Sequence, residues 1–267
     1  MSRTLQIAKM TFGIFLRRPE VLMVAALGFL LIIGVSMVLL NEDLAQQVST
    51  GIQKSQGIEI EKKTFIEGSL VYAEIFTVIA TFLVGMNLIG RDIRSNSISL
   101  YLVRPITRMQ YLLGKYLGGV MLSASIFLFY LIFIAVVLYI DGSAVQIPFF
   151  KIISLTLFKI ALLYSLIIFF VQKMPGFVAA LIGSAIYIGG YFAGDFYLMS
   201  LSTEGLIKYS SLLIYYLLPH LVEVSPGSVM SSSTGIMLFF QWAFVYGVLY
   251  SSVWLYGALR LFNKRAL

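Results

Sequence analysis

The chain has 267 residues, of which 60% are hydrophobic and only 12% charged, with a mean hydropathy of +0.94. That composition excludes a soluble domain and reads as an integral membrane protein of a single domain, 1–267, since no Gly/Ser linker or low-complexity run divides it. The absence of cysteine excludes a disulfide framework, thiol catalysis and thiolate metal sites, and the net charge of +7 has to be explained by where 19 bases sit.

The first element, "MSRTLQIAKMTFGIFLRRPE", is basic and amphipathic, lacks a small-residue cleavage site and leads into an uncharged run of spanning length. It reads as a retained segment, not a cleaved signal peptide. A spanning helix needs about 20 predominantly apolar residues. The segments that qualify are 21–40, 68–90, 116–140, 152–171, 176–194 and 236–259, which predicts an all-α protein with six transmembrane helices. Gly205 to Leu218 is shorter and ends at Pro219, so it reads as a re-entrant or interfacial segment before the sixth span.

Charge fixes the expected direction of these spans. With six of them both termini share a side, and that side collects Arg3, Lys9, Arg17, Arg18, Arg91, Arg94, Arg104, Arg108, Lys115, Lys173, Arg260, Lys264 and Arg265 out of the 19 bases. Lys and Arg near span ends are held in the cytoplasm, so the chain is expected as a multi-pass protein of the cell's inner (cytoplasmic) membrane with both termini cytoplasmic. A seventh span would carry Arg260, Lys264 and Arg265 outside. The 41–67 loop is then external. Bases placed at span ends signal topology, and no nucleic-acid partner is expected; membrane lipids are.

Constellations that carry catalysis are missing from the sequence. His220 is the single histidine, so neither an imidazole pair for a metal nor an HExxH motif exists, and His220 after Pro219 reads as a turn or interfacial residue. There is no GxSxG; "YFAGD" lacks the first Gly of an intramembrane-protease aspartate motif, and the 11 methionines are scattered. "GMNLIGRD", 85–92, has the G-x4-G spacing of a phosphate loop, but Arg91 and Asp92 stand where Lys and Ser/Thr must bind phosphate and Mg²⁺. The chain is not expected to be an enzyme by itself and binds no cofactor or metal of its own in this reading.

Between the second and third spans lies "GRDIRSNSISLYLVRPITRMQYLLGK", 90–115. Residues before proline are driven out of the helical region, so a short helix of about Ser97 to Arg104 should stop near Val103, and Thr107 should cap the next helix. A solvated positive-inside loop explains the arginines but not Ile98, Leu100, Tyr101, Leu102 and Val103, which need a cover; a protein-docking helix supplies one.

The order "LIGRDIRSNSISLYLVRPITRMQYLLGKYLGG" resembles the segment between the second and third spans of type-2 ATP-binding-cassette (ABC) permeases, with Pro105, Ile106, Thr107, Arg108, Gly114 and Lys115 at the positions of that pattern. Many members have Glu where Asp92 stands. The resemblance extends to span number, the long first external loop and the basic N-terminal segment. It implies an exporter permease: a sub-membrane coupling helix and an N-terminal elbow helix, two copies of a cytoplasmic ABC ATPase carrying ATP and Mg²⁺, and a second permease subunit in a homodimer or a paralogous heterodimer. Carried over, it implies ATPase docking through Arg91, Asp92, Arg94, Ser97, Leu100, Tyr101, Arg104 and Arg108, and an elbow bearing Lys9, Phe12 and Arg17. The alternative is a non-transporting membrane scaffold that anchors a cytoplasmic complex through the same helix. Uncharged spans fit a lipid, a hydrophobic peptide, a drug-like amphiphile or an allosteric role equally well.

Two charges lie inside the spans. Glu74 and Lys159 each sit six or seven residues from the external end of their span, about 9 to 10 Å deep. Intramembrane charges are costly, which predicts a contact or shared cavity between the two; the competing arrangement has Lys159 snorkelling outward and Glu74 in a wet vestibule. Small residues of the fifth span, Ala185 with Gly189 and Gly190 with Gly194, have the spacing of a close helix contact.

Overall fold

The computed structural model describes residues 3–41, 62–90, 92, 106–142, 149–219 and 236–264. Every regular element among them is an α-helix: α1 (Arg3–Leu16), α2 (Pro19–Leu40), α3 (Lys62–Leu88), α4 (Arg108–Asp141), α5 (Phe149–Val171), α6 (Gly176–Tyr191), α7 (Ala193–Ser202), α8 (Leu206–Leu217) and α9 (Ile236–Asn263). Helices α2, α3, α4 and α5 are long and apolar enough to cross a membrane, and α6 with α7 makes a fifth if the bent pair is one span. Helix α9 has 28 residues and a single charge, Arg260, in its last turn.

One boundary falls where the sequence places it, and others differ for local reasons. Helix α4 begins at Arg108 with Thr107 as its cap, as expected, ahead of the apolar run that starts at Tyr116: the Thr107 hydroxyl accepts from Gln110 N–H at 3.2 Å, and the Gln110 side chain accepts from Thr107 N–H at 3.1 Å. That reciprocal capping box satisfies two otherwise orphaned donors, and the helix starts where they are met, not where the apolar run begins. Helix α3 likewise begins at Lys62, ahead of Gly68. The expected span 176–194 breaks at Phe192, where α6 and α7 meet at 57°. Phe192 N–H bonds Gly189 O at 3.0 Å, and the Phe192 carbonyl starts the next helix by accepting from Phe196 N–H at 3.2 Å. Helix α7 then turns into α8, a segment of 12 residues, about 18 Å, which is too short to cross a bilayer.

Helix α5 is the centre of the bundle. It packs against α3, α4, α6 and α9 and buries most of its length, whereas α2 is peripheral, with Leu22, Met23, Leu27, Leu30 and Met37 exposed. Large exposed apolar side chains are what a helix in contact with lipid presents, since lipid tails exert no pressure to hide them. Between helices, buried hydroxyls act as links. Thr81 on α3 donates to Ser123 on α4, and Ser123 bonds Tyr164 on α5, both at 2.9 Å; Tyr130 on α4 reaches the Ala25 carbonyl of α2 at 2.8 Å. In a medium without water each such group must find a protein partner.

Close approach is set by small residues, only some of them those expected. Ala185 is exposed and a Cβ on Gly194 would touch nothing. The buried stripe of α6 is Gly176, Ala179, Ala180 and Gly183, at helical i, i+3, i+4, i+7 spacing; Gly183 faces Ile167 of α5 and Gly176 the Met86 carbonyl of α3. Of the expected set, Gly190 is buried as well, and Gly189 makes a close contact with Leu218.

Candidate functional site

Two constructions stand out, one just beyond the C-terminal end of α3 and one near its middle. The first flanks the polar 90–115 segment. Helix α1 lies along the start of α4 with Ile7, Ala8, Thr11 and Phe15 buried, and a Cβ on Gly114 or Gly118 would come within 2.7 Å of Ile7 or of the Ala8 carbonyl and Thr11. Just beyond α3, Asp92 pairs with Lys115 of α4 at 2.7 Å and accepts from the Tyr111 hydroxyl at 2.6 Å. Arg108 donates to the carbonyls of Phe262 at 3.0 Å and Asn263 at 2.9 Å. A cation at the C-terminus of α9 satisfies carbonyls left without helical partners and complements the helix dipole. Tyr111 stacks on Phe262 with ring centroids 5.9 Å apart, so α3, α4 and α9 are fastened at one end.

Of the residues the resemblance assigns to ATPase docking, Asp92 and Arg108 therefore make internal contacts. Arg91, Arg94, Ser97, Leu100, Tyr101 and Arg104, with the coupling helix they would form, lie outside the described residues, as does His220. On the elbow, Lys9 and Arg17 are exposed, while Phe12 is half-buried against the core.

The second construction lies in the first halves of α3 and α5 and the last turn of α6. Lys159 Nζ is 2.5 Å from Glu74 Oε1, and both side chains are buried, Lys159 completely. The hydroxyls of Tyr191 and Tyr187 donate to the same oxygen at 2.8 and 3.0 Å and lie 2.9 Å from one another; Lys159 also donates to the Tyr191 hydroxyl at 3.1 Å. Of the two arrangements weighed for these charges, the structure has the contact. Isolated, either ion would pay a desolvation cost of several kcal/mol; together, with two hydroxyls on the same carboxylate oxygen, they form a neutral unit.

This cluster is the floor of a groove of about 570 Å³ between α3 and α6, walled by Val71, Ile75, Ile79, Phe82, Ile188 and Phe192. Tyr187 and Tyr191 were not anticipated. The sequence has 16 tyrosines, and nothing local marks these two except their four-residue spacing, which puts both on one helix face. No group of three or more His, Cys, Asp or Glu that could hold a metal occurs among the described residues. Compared with protein-family models and with characterised proteins, the sequence matches none.

Proposed function

We propose that the chain is the membrane-spanning permease subunit of an ABC exporter, with six spans, working with a second permease subunit and with two copies of a separate cytoplasmic ATPase that bind ATP and Mg²⁺. In this reading the chain lies in the cytoplasmic membrane with both termini inside. Helix α9 is the sixth span, α6 with α7 the fifth, and α8 the re-entrant or interfacial piece.

The observation that supports it is the fastening of both flanks of the polar segment. A docking element between spans transmits force only if its ends are held stiffly to helices that can move as bodies. Asp92 to Lys115 holds one flank, Arg108 to the end of α9 holds the other, and α1 is clasped alongside through Gly114 and Gly118. A push on 93–105 would thus reach α1, α3, α4 and α9 together. Nucleotide-driven closure of the ATPase pair supplies the push, and the rigid helices rock against the second subunit.

The test is co-purification with the ATPase encoded beside the chain, wild type against a Leu100→Asp, Arg104→Glu double variant that still inserts in the membrane. Binding by the wild type and loss in the variant supports the permease. Equal binding by both, or capture instead of a partner without nucleotide-binding motifs, supports the scaffold.

A further inference from the structure

The groove between α3 and α6 presents an acid without presenting the matching base. Glu74 is among the residues lining it and is 3% exposed, whereas Lys159 is fully buried behind Glu74 and contributes nothing to the wall. All three donors to Glu74, from Lys159, Tyr187 and Tyr191, converge on Oε1. Among the described residues none donates to Oε2. Glu74 lines the groove, so a donor entering it would gain a charge-assisted hydrogen bond to Oε2.

The walls say what else the occupant must be. Apart from Glu74, Ser184 and the two tyrosines, the lining is aliphatic and aromatic, and Ile75, Ile188 and Phe192 at the rim are half exposed. The groove therefore opens sideways, toward whatever surrounds the bundle. Its volume is that of one drug-sized ligand, and the acceptor lies well inside the apolar stretch of α3 that is long enough to cross a membrane, Thr64–Leu88.

We propose that this groove binds a single-chain cationic amphiphile: a primary ammonium head donating to Glu74 Oε2, with its alkyl chain lying between α3 and α6 along Ile75, Ile79 and Ile188. Lys159 is the buried counter-charge of Glu74 in the absence of the ligand, and anionic heads are turned away because only the acid faces the groove. This goes beyond the permease reading and requires only that α3, α5 and α6 lie in the bilayer.

The full chain in phosphatidylcholine nanodiscs is titrated with radiolabelled dodecylamine, with laurate as the anionic comparison. Saturable dodecylamine binding is expected, about tenfold or more tighter than laurate, the ratio that loss of one charged hydrogen bond gives. Ile79→Trp, which fills the groove from a partly exposed position, should abolish it. A Glu74→Gln, Lys159→Met double variant, whose cluster stays neutral and whose fold is checked by size-exclusion elution, should weaken it about tenfold or more. Non-saturable uptake, laurate binding as well as the amine, or undiminished binding to either folded variant overturns the proposal. Competition by phosphatidylethanolamine added to the nanodisc overturns it too, by making the occupant a bilayer lipid.

Discussion

Lys159 carries no exposed surface and has Glu74 within 2.5 Å, an arrangement in which each side chain is tolerable only because of the other. Removing one partner of a buried pair leaves an unpaired charge and costs about 3 kcal/mol or more, while removing both leaves none. Glu74→Gln and Lys159→Met should each lower the detergent-solubilised unfolding midpoint, and the double variant should lose clearly less than the sum, giving a coupling energy above about 1 kcal/mol. Additive losses would show that the contact carries no energy. These charges were legible in the sequence because any ion in a run of apolar residues is conspicuous. Their two hydroxyl partners were not, since a tyrosine in a span is unremarkable until the helices are packed. Asp92 and Arg108 show the same limit from the other side: the sequence marks them as charged and near the membrane surface, but only packing reveals that one meets Lys115 and the other the end of α9.

At the scale of elements, the amphipathic first helix was readable because Ile7, Thr11 and Phe15 repeat at helical spacing and return as the buried face of α1. Its seat was not, because it is made by absent side chains on α4. Gly118 leaves no room for a Cβ, which would lie 2.7 Å from the Ala8 carbonyl. Gly118→Leu should therefore lift α1 from α4. Because the chain has no cysteine, a single Ala8→Cys, buried in the native packing, reports this directly: it should be slow to react with maleimide alone and react at least about tenfold faster when combined with Gly118→Leu. Equal rates would mean that α1 is held by something other than this contact. The bend at Phe192 was hidden for a comparable reason, since the uncharged run continues past it through "IGGYFAG" and the hydrogen bonding of Phe192 ends α6.

At the scale of the whole molecule, hydropathy and charge made the all-helical membrane character legible, and the bundle of apolar helices agrees with it. The distribution of bases predicts the direction across the membrane, and cysteine scanning tests it. A single cysteine at Ser55 should react with a membrane-impermeant maleimide in intact cells, while single cysteines at Ser2 and Ala266 should react only after permeabilisation. Labelling of Ala266→Cys from outside would restore an odd number of spans. Transmission from the polar segment to the helices also belongs at this scale, because it requires α1, α3, α4 and α9 to move as one. The measurement that tests it most directly is ATP turnover by the neighbouring ATPase, reconstituted in liposomes with wild-type chain or with Arg108→Ala, which removes the two bonds to the α9 terminus and substitutes no residue of 93–105. The account predicts that the ATPase still binds the variant but that the permease's effect on turnover falls at least about fivefold, the loss expected from about 1 kcal/mol of coupling. Turnover that responds to Arg108→Ala as it does to the wild type would contradict the mechanical link and, with it, the permease reading built on these anchored flanks.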